Sequence, residues 1–367
     1  MKITEFTANH YRNLQEIQIH PHEQMNLIYG QNAQGKTNLI EAIWLFSGSR
    51  SFRSNKDSRM IAFGQQRADL TMQFDDDKRV QKASITLSDK NRFTLNRVVL
   101  KNIGEFAGNF LAVVFTPSHL SIAQGSPQVR RNFLDHAIAN IQPNYKQVLS
   151  QYERVVFQRN NLLKHFSRSQ AWADTIDVWD LQMAKLGTVL SLYRRDYVDK
   201  LAKFAQRIYQ DLSSQTEEFR ITYRSTIFEE LENQQYDEQK VERYHEKLVN
   251  NRQNDQNIGY TELGVHHDDL TIVIDGKPVK QYGSQGQQRS ATLALKLAEA
   301  KLLQAVAGAN PVVLLDDVLS ELDRSRQEYL LNHIKGHQVF ITSCEEPGNV
   351  ELLRGKRFEI CDGRIQE

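Results

Sequence analysis

Cysteine is scarce in this chain: only Cys344 and Cys361 occur among 367 residues. Two thiols exclude a disulfide scaffold and a four-cysteine zinc site and suit a reducing compartment. Both are expected to be buried as small hydrophobes. No apolar run approaches the roughly 18 residues a membrane span needs, and Met1 to Phe6 lack an apolar signal core. A soluble, intracellular protein is therefore expected. Excess charge is missing too. The 46 Lys and Arg against 45 Asp and Glu leave a net charge of +1, so any affinity for nucleic acid has to come from local basic patches. Internal repeats and low-complexity tracts are absent, and the length allows about two domains.

What is present begins at Gly30. The run Gly30-Gln31-Asn32-Ala33-Gln34-Gly35-Lys36-Thr37 fits the phosphate-loop pattern G-x-x-x-x-G-K-S/T. It follows a short apolar strand, Met25 to Tyr29, and opens an apolar helix, Asn38 to Phe46. That order brings successive backbone N–H groups and the positive end of a helix onto one anion, with glycines letting the main chain approach. Lys36 is placed to reach the β- and γ-phosphates and Thr37 to offer its hydroxyl to Mg²⁺. The expected ligand is thus a Mg²⁺-nucleoside triphosphate.

Pro311 to Asp317 is an apolar run ending in two carboxylates, the pattern of a buried parallel strand that delivers acids to its C-terminal edge beside phosphate. Asp316 is expected to hold Mg²⁺ through water, and Asp317 to orient or deprotonate the attacking water. Short strands and turns fill the chain to about Phe115 and return from Tyr260. Between them, Pro127 to Leu212 carries long helical periodicity, with apolar residues at three- and four-residue steps from Trp172 to Ile208. If continuous, the helix from Trp172 to Leu212 is roughly 60 Å long at 1.5 Å per residue. The acidic stretch Ser214 to Gln256 reads as a further strand and helix. These patterns predict an α/β fold: one domain built from both termini, residues 1–126 and 259–367, with a helical arm inserted over residues 127–258.

The segment Tyr282 to Ser290 runs into an apolar helix and resembles the signature motif of ABC-type ATPases, with Ser284, Gln285, Gly286 and Gln287 at the Ser-Gly-Gly-Gln positions and Gln285 departing from glycine. Taken alone it is also an ordinary helix cap. Ser320-Glu321-Leu322-Asp323 is similar to the Ser-x-Leu-Asp loop of the same superfamily. Together with the Tyr11-Arg12-Asn13-Leu14 turn and the Leu263 to Leu270 segment, these motifs make the chain similar over essentially its whole length to the RecF family. That family comprises bacterial recombination mediators among the SMC-related ABC-type ATPases. The resemblance implies an ATPase head with a short arm, and an ATP-dependent homodimer on duplex DNA and ssDNA–dsDNA junctions. It implies weak ATP hydrolysis and action with RecO and RecR in loading recombinase at gaps, with roles in replication restart and SOS induction and a cytoplasmic, nucleoid-associated location.

Carried onto this sequence, the resemblance assigns Gly30 to Thr37 and Arg12 to the nucleotide. It assigns Ser284, Gly286 and Gln287 to the γ-phosphate held by a second protomer. Two departures stand out. Asp317 replaces the usual glutamate, which suggests slow turnover, and Thr342 or Ser343 replaces the usual switch histidine, so no catalytic role is assigned there. Gln65 and Gln66 are candidates for the Q-loop glutamine. For DNA phosphates, Arg50 and Arg53 are preferred within a basic stretch that also holds Lys56. A second basic stretch holds Arg130, Arg131, Lys146, Arg154, Arg159, Lys164 and Arg168. His266, His267, Asp268 and Asp269 are expected to be structural, because neighbours on an extended segment point apart. Asn55-Lys56-Asp57-Ser58 misplaces the aspartate of a guanine site, so ATP is favoured. A small-molecule kinase would share Lys36 and Asp316 but needs no signature segment; a transporter ATPase usually lacks such an arm.

Overall fold

The computed structural model describes residues 1–53, 57–165, 169–229, 235–344 and 355–366. Asn55, Lys56 and Arg168 lie outside them. In chain order the elements are β1 Lys2–Tyr11, β2 Leu14–Ile19, β3 Met25–Tyr29, α1 Lys36–Leu45, β4 Ala68–Asp75, β5 Val80–Leu87, β6 Arg92–Leu95, β7 Val98–Leu100, β8 Ala112–Phe115, α2 Pro127–Ile141, α3 Tyr145–Lys164 and α4 Gln170–Leu212. There follow β9 Phe219–Arg224, α5 Glu238–Ile258, β10 Asp269–Ile274, β11 Lys277–Pro278, α6 Val279–Tyr282, α7 Gln285–Ala307, β12 Val312–Leu315, α8 Arg324–His333, β13 Val339–Ser343, β14 Gly355–Cys361 and β15 Arg364–Gln366.

The chain forms two compact units, residues 1–121 with 292–367, and residues 122–291. The α/β unit is thus drawn from both ends of the sequence. The return to it falls within α7 and not near residue 259, because β10 pairs along its whole length with β9 and so stays with the inserted unit.

In the first unit twelve of the described strands form one sheet, in the order β7-β6-β5-β4-β1-β2-β15-β14-β3-β13-β12-β8. From β14 to β8 the pairing is parallel, and here the strands read as continuous apolar runs: all four residues of β8 and of β12 are buried. From β7 to β2 it is antiparallel, and β4 alternates buried and half-buried positions, as expected for a strand covered on one face. Helix α1 packs against β1, β12 and β13, with Leu39, Ile40, Ala42, Ile43 and Leu45 fully buried. Each leucine or isoleucine among them contributes about 1.5–3 kcal/mol. The register Ser343 beside Tyr29, and Leu315 beside Ile341, brings the ends of β3, β13 and β12 out at one edge.

Both cysteines are exposed, against expectation. The alternation of β14 turns Phe358 and Ile360 inward and Cys361 outward, while Cys344 lies just past the end of β13.

The second unit is led by α4, whose 43 residues span about 65 Å. Helices α3 and α5 pack on it, and β9, β10 and β11 make a small antiparallel sheet. Arg159 on α3 is fully buried between Asp180 on α4 and Asp255 on α5, at 2.5 and 2.6 Å, and also donates to Thr261. No helix among the described residues is long and apolar enough to cross a membrane.

Candidate nucleotide site

The loop after β3 takes its shape from backbone conformations that side chains resist. Gly30 has φ +146°, and a Cβ there would lie 2.3 Å from the Ile360 carbonyl oxygen of β14. Ala33 is also left-handed, and Gly35 caps α1 with no side chain to bond its first N–H groups. Those donors, with the dipole of a ten-residue helix, face the same end as Lys36. The Lys36 ammonium is buried and donates to the carbonyls of Gly30 at 2.6 Å and Gln31 at 2.8 Å.

Around the loop runs a brace. Asn13 donates to the Ala33 carbonyl at 2.8 Å and accepts from Asn38 at 2.6 Å. Gln34 accepts from the Asp362 amide at 2.5 Å and the Gly363 amide at 3.2 Å. Cys344 donates to Asn32 at 3.0 Å.

Thr37, on the first turn of α1, donates its hydroxyl to Asp316 Oδ1 at 2.8 Å. Thr342, at the end of β13, donates to the same oxygen at 3.0 Å and accepts the Asp317 amide at 2.8 Å. Asp316 Oδ2 takes neither hydroxyl. Burial pushes the Asp316 carboxyl above its ordinary value; the Thr37 and Thr342 bonds pull it down, the Asp317 charge raises it and Arg53 lowers it. Asp317 sits at φ +51°, with Ser320 Oγ bonded to its carbonyl at 2.8 Å and its carboxylate at 3.1 Å. A lysine and an uncapped helix start therefore adjoin a hydroxyl–carboxylate pair. One bare carboxylate is too few for an all-protein metal cage but fits a Mg²⁺ ion that shares its ligands with phosphate and water. Among the described residues no group of three or more His, Cys, Asp or Glu is arranged to hold a metal.

Residues 2–351 match the family RecF/RecN/SMC N terminal domain. The chain is 36% identical over 371 residues to the DNA replication and repair protein RecF of Ruminiclostridium cellulolyticum, covering 100% of this chain and 99% of that one. Against RecF of Oceanobacillus iheyensis it is also 36% identical, over 370 residues and 100% of both. A solved structure of the recombination mediator protein RecF with ATPrS, described as in the RecFOR pathway, superposes with a TM-score of 0.91 at 33% identity, over 99% of this chain and 97% of that one. The chain belongs to the RecF family. An SMC head bound to the C-winged helix domain of ScpA shares the fold alone, at 14% identity and a TM-score of 0.54 over 100% of this chain and 97% of that one. The α/β head with an inserted helical arm is thus that of the RecF and SMC ABC-type ATPases.

The motifs that suggested RecF now have places. Ser284 and Gln287 form a reciprocal capping box at the start of α7: the Ser284 amide donates to Gln287 Oε1 at 2.8 Å, and the Gln287 amide to Ser284 Oγ at 3.2 Å. Gln287 also reaches Glu217 at 2.8 Å, and Gly286 occupies the first turn. Both belong to the second unit, whereas Lys36, Thr37, Asp316 and Asp317 belong to the first. Arg12 is left-handed at φ +53° and commits its guanidinium to the buried Glu41 of α1 through Nε and Nη2; Nη2 also reaches Ser51 at 3.4 Å, and Nη1 donates to the Arg59 carbonyl at 3.5 Å. Asp323 caps α8.

Arg50 and Arg53 are exposed; Arg53 donates to Asn38 at 2.5 Å, beside the first turn of α1. Part of the second basic stretch is spent. Arg130 is buried in a two-pronged pair with Asp269 and Arg159 is enclosed between two aspartates, so neither offers a free charge to DNA, whereas Arg131 is half-buried and donates to the Asp268 carbonyl and to Gln128. The His-His-Asp-Asp run disperses. His266 bonds Tyr152 and the Thr261 carbonyl, His267 the same carbonyl, Asp268 takes Tyr223 and Thr226, and Asp269 takes Arg130.

Two contributors were given no role by the sequence. Thr342 stands at or beside the place of the usual switch histidine, and nothing local to it signals its bonds to Asp316 and Asp317. The Asp362-Gly363 turn did carry a signal, since Asp-Gly between strands marks a two-residue hairpin; both residues have positive φ, 49° and 73°, as a type I′ turn needs.

Proposed function

We propose that this chain binds Mg²⁺-ATP at Gly30 to Thr37 and Asp316, and that binding closes two copies into a DNA-holding dimer which hydrolysis reopens. The observation that carries the reading is the Thr37–Asp316 contact beside Lys36 and an uncapped helix start. Backbone N–H groups of the loop and the Lys36 ammonium bind the phosphates. Thr37, whose hydroxyl donates to Asp316 Oδ1 and keeps its lone pairs, and Asp316 would together hold Mg²⁺. Mg²⁺, when bound, neutralises charge on the phosphates. Asp317 orients water and takes its proton; being shorter than glutamate, it supports slow turnover. Arg12 acts by fixing Glu41 and the turn that bears Asn13.

Ser284, Gly286 and Gln287 of one copy meet the γ-phosphate at the site of the other, so nucleotide affinity is linked to dimer closure. Arg50 and Arg53 contact DNA phosphates. The RecF relatives, including structures described with ATP in the RecFOR pathway, support action with RecO and RecR at gapped DNA, and from there a part in replication restart and SOS induction. ATP turnover tests the reading. Duplex DNA should stimulate it and Lys36→Ala should abolish it; stimulation by a small acceptor or by membranes, with none by DNA, would contradict it in favour of a kinase or a transporter subunit.

A further inference from the structure

Resting on that reading of the site, we infer that Thr342 is a positioning residue for ATP hydrolysis, its hydroxyl fixing the Mg²⁺ carboxylate and the main chain of the general base against the phosphate loop. The sheet order β3-β13-β12 places β13 between the strand that delivers the loop and the strand that delivers both aspartates. Thr342 stands at the exit of that middle strand, paired with Ile28 on one side and one residue beyond the pairing of Ile341 with Leu315 on the other. Its oxygen accepts the Asp317 N–H, so its own proton is directed to Asp316 Oδ1. One hydroxyl thus ties two successive residues, in a pocket where Thr342 is 3% and Asp316 4% exposed.

The consequence is directional. Thr37 and Thr342 approach the same carboxylate oxygen from α1 and from β13, which restrains the carboxylate and would leave Oδ2 for holding the metal. The amide bond also holds Asp317 in a left-handed turn that a non-glycine residue seldom adopts unaided. With Ser320 on its carbonyl and carboxylate, Asp317 is constrained at three points. Thr342 therefore acts on metal and water through other residues and contacts neither.

Two substitutions separate hydroxyl from packing. Thr342→Val keeps the shape and apolar surroundings of β13 and removes the hydroxyl; Thr342→Ser keeps the hydroxyl and removes a methyl. For each, two quantities are measured: the Mg²⁺ concentration at half-saturation of ATP binding, by calorimetry, and kcat for hydrolysis. ATP affinity in EDTA and the thermal midpoint serve as references. Thr342→Val should raise the Mg²⁺ half-saturation and lower kcat, each by roughly tenfold, the scale of one hydrogen bond to a charged group. Its EDTA affinity should match the wild type, and Thr342→Ser should stay within about twofold of wild type on the same scale. Unchanged Mg²⁺ dependence and kcat in Thr342→Val would overturn the inference while leaving the ATP site standing. Equal impairment in Val and Ser variants would overturn it in favour of packing. A wild-type chain that binds no ATP with Mg²⁺ would remove both the site and the inference.

Discussion

In the proposed site Lys36, Thr37 and Asp316 are held by their neighbours, and the tightest constraint is on residues without side chains. A methyl group at Gly363 would sit 1.9 Å from the Asn13 carbonyl oxygen, and one at Gly30 2.3 Å from that of Ile360. Both obstacles are backbone, so no rotamer relieves them. Gly363→Ala should push the Asn13 turn off the phosphate loop and lower ATP affinity at least tenfold, although Gly363 touches no nucleotide in the proposed site; titration with a fluorescent ATP analogue reads this, and wild-type affinity would contradict it. Lys36→Ala should abolish binding in the same assay. Thr342 and Gly363 differ in legibility. The Asp-Gly pair is a local signal open to sequence reading, whereas a threonine gains its role only from strand order, which joins residues about three hundred positions apart.

At the scale of elements, what is contiguous was readable and what is assembled was not. The β3-loop-α1 unit and β12 with its acids announce themselves within a few residues, as do the long α4 and the strand and helix at β9 and α5. Strands β14 and β15 do not: the outward face of β14 is charged or polar, and its parallel partner β3 lies far away in sequence. The cap of α7 was read as one of two possibilities, and the hydrogen bonds show that Ser284 does cap. Ser284→Ala should therefore cost about 1 kcal/mol of stability in urea unfolding. A null effect would contradict the capping box. Arg159 reads in sequence as one more helix-surface charge, yet it joins α3, α4 and α5 with no exposure. Arg159→Leu leaves buried Asp255 without a cation and Asp180 with Arg252 alone, and should cost about 3–5 kcal/mol by the same measurement. A loss below about 1 kcal/mol, the scale of an exposed pair, would mean the pair is not closed in solution.

For the whole molecule, stability and assembly give separate tests. Burial first, then the neighbouring His267, hold His266 down to about 3 in the folded chain. The unfolded chain takes up that proton near 6.5, so between these values the unfolded state binds one more proton than the native one. The stability contributed by His266 is complete above about 6.5 and declines as the pH falls toward 3, by about 1.4 kcal/mol per pH unit. Urea unfolding from pH 6 to 4.5 should show a shallower dependence in His266→Gln by that slope; parallel curves would contradict it. Assembly bears on the main proposal, because the loop and the signature segment are to meet across two copies. The direct measurement is sedimentation velocity of Asp317→Asn with Mg²⁺-ATP, with and without short duplex DNA. The account predicts an ATP-dependent dimer that co-sediments with the duplex and is lost in Ser284→Arg; a monomer indifferent to ATP and DNA would contradict it.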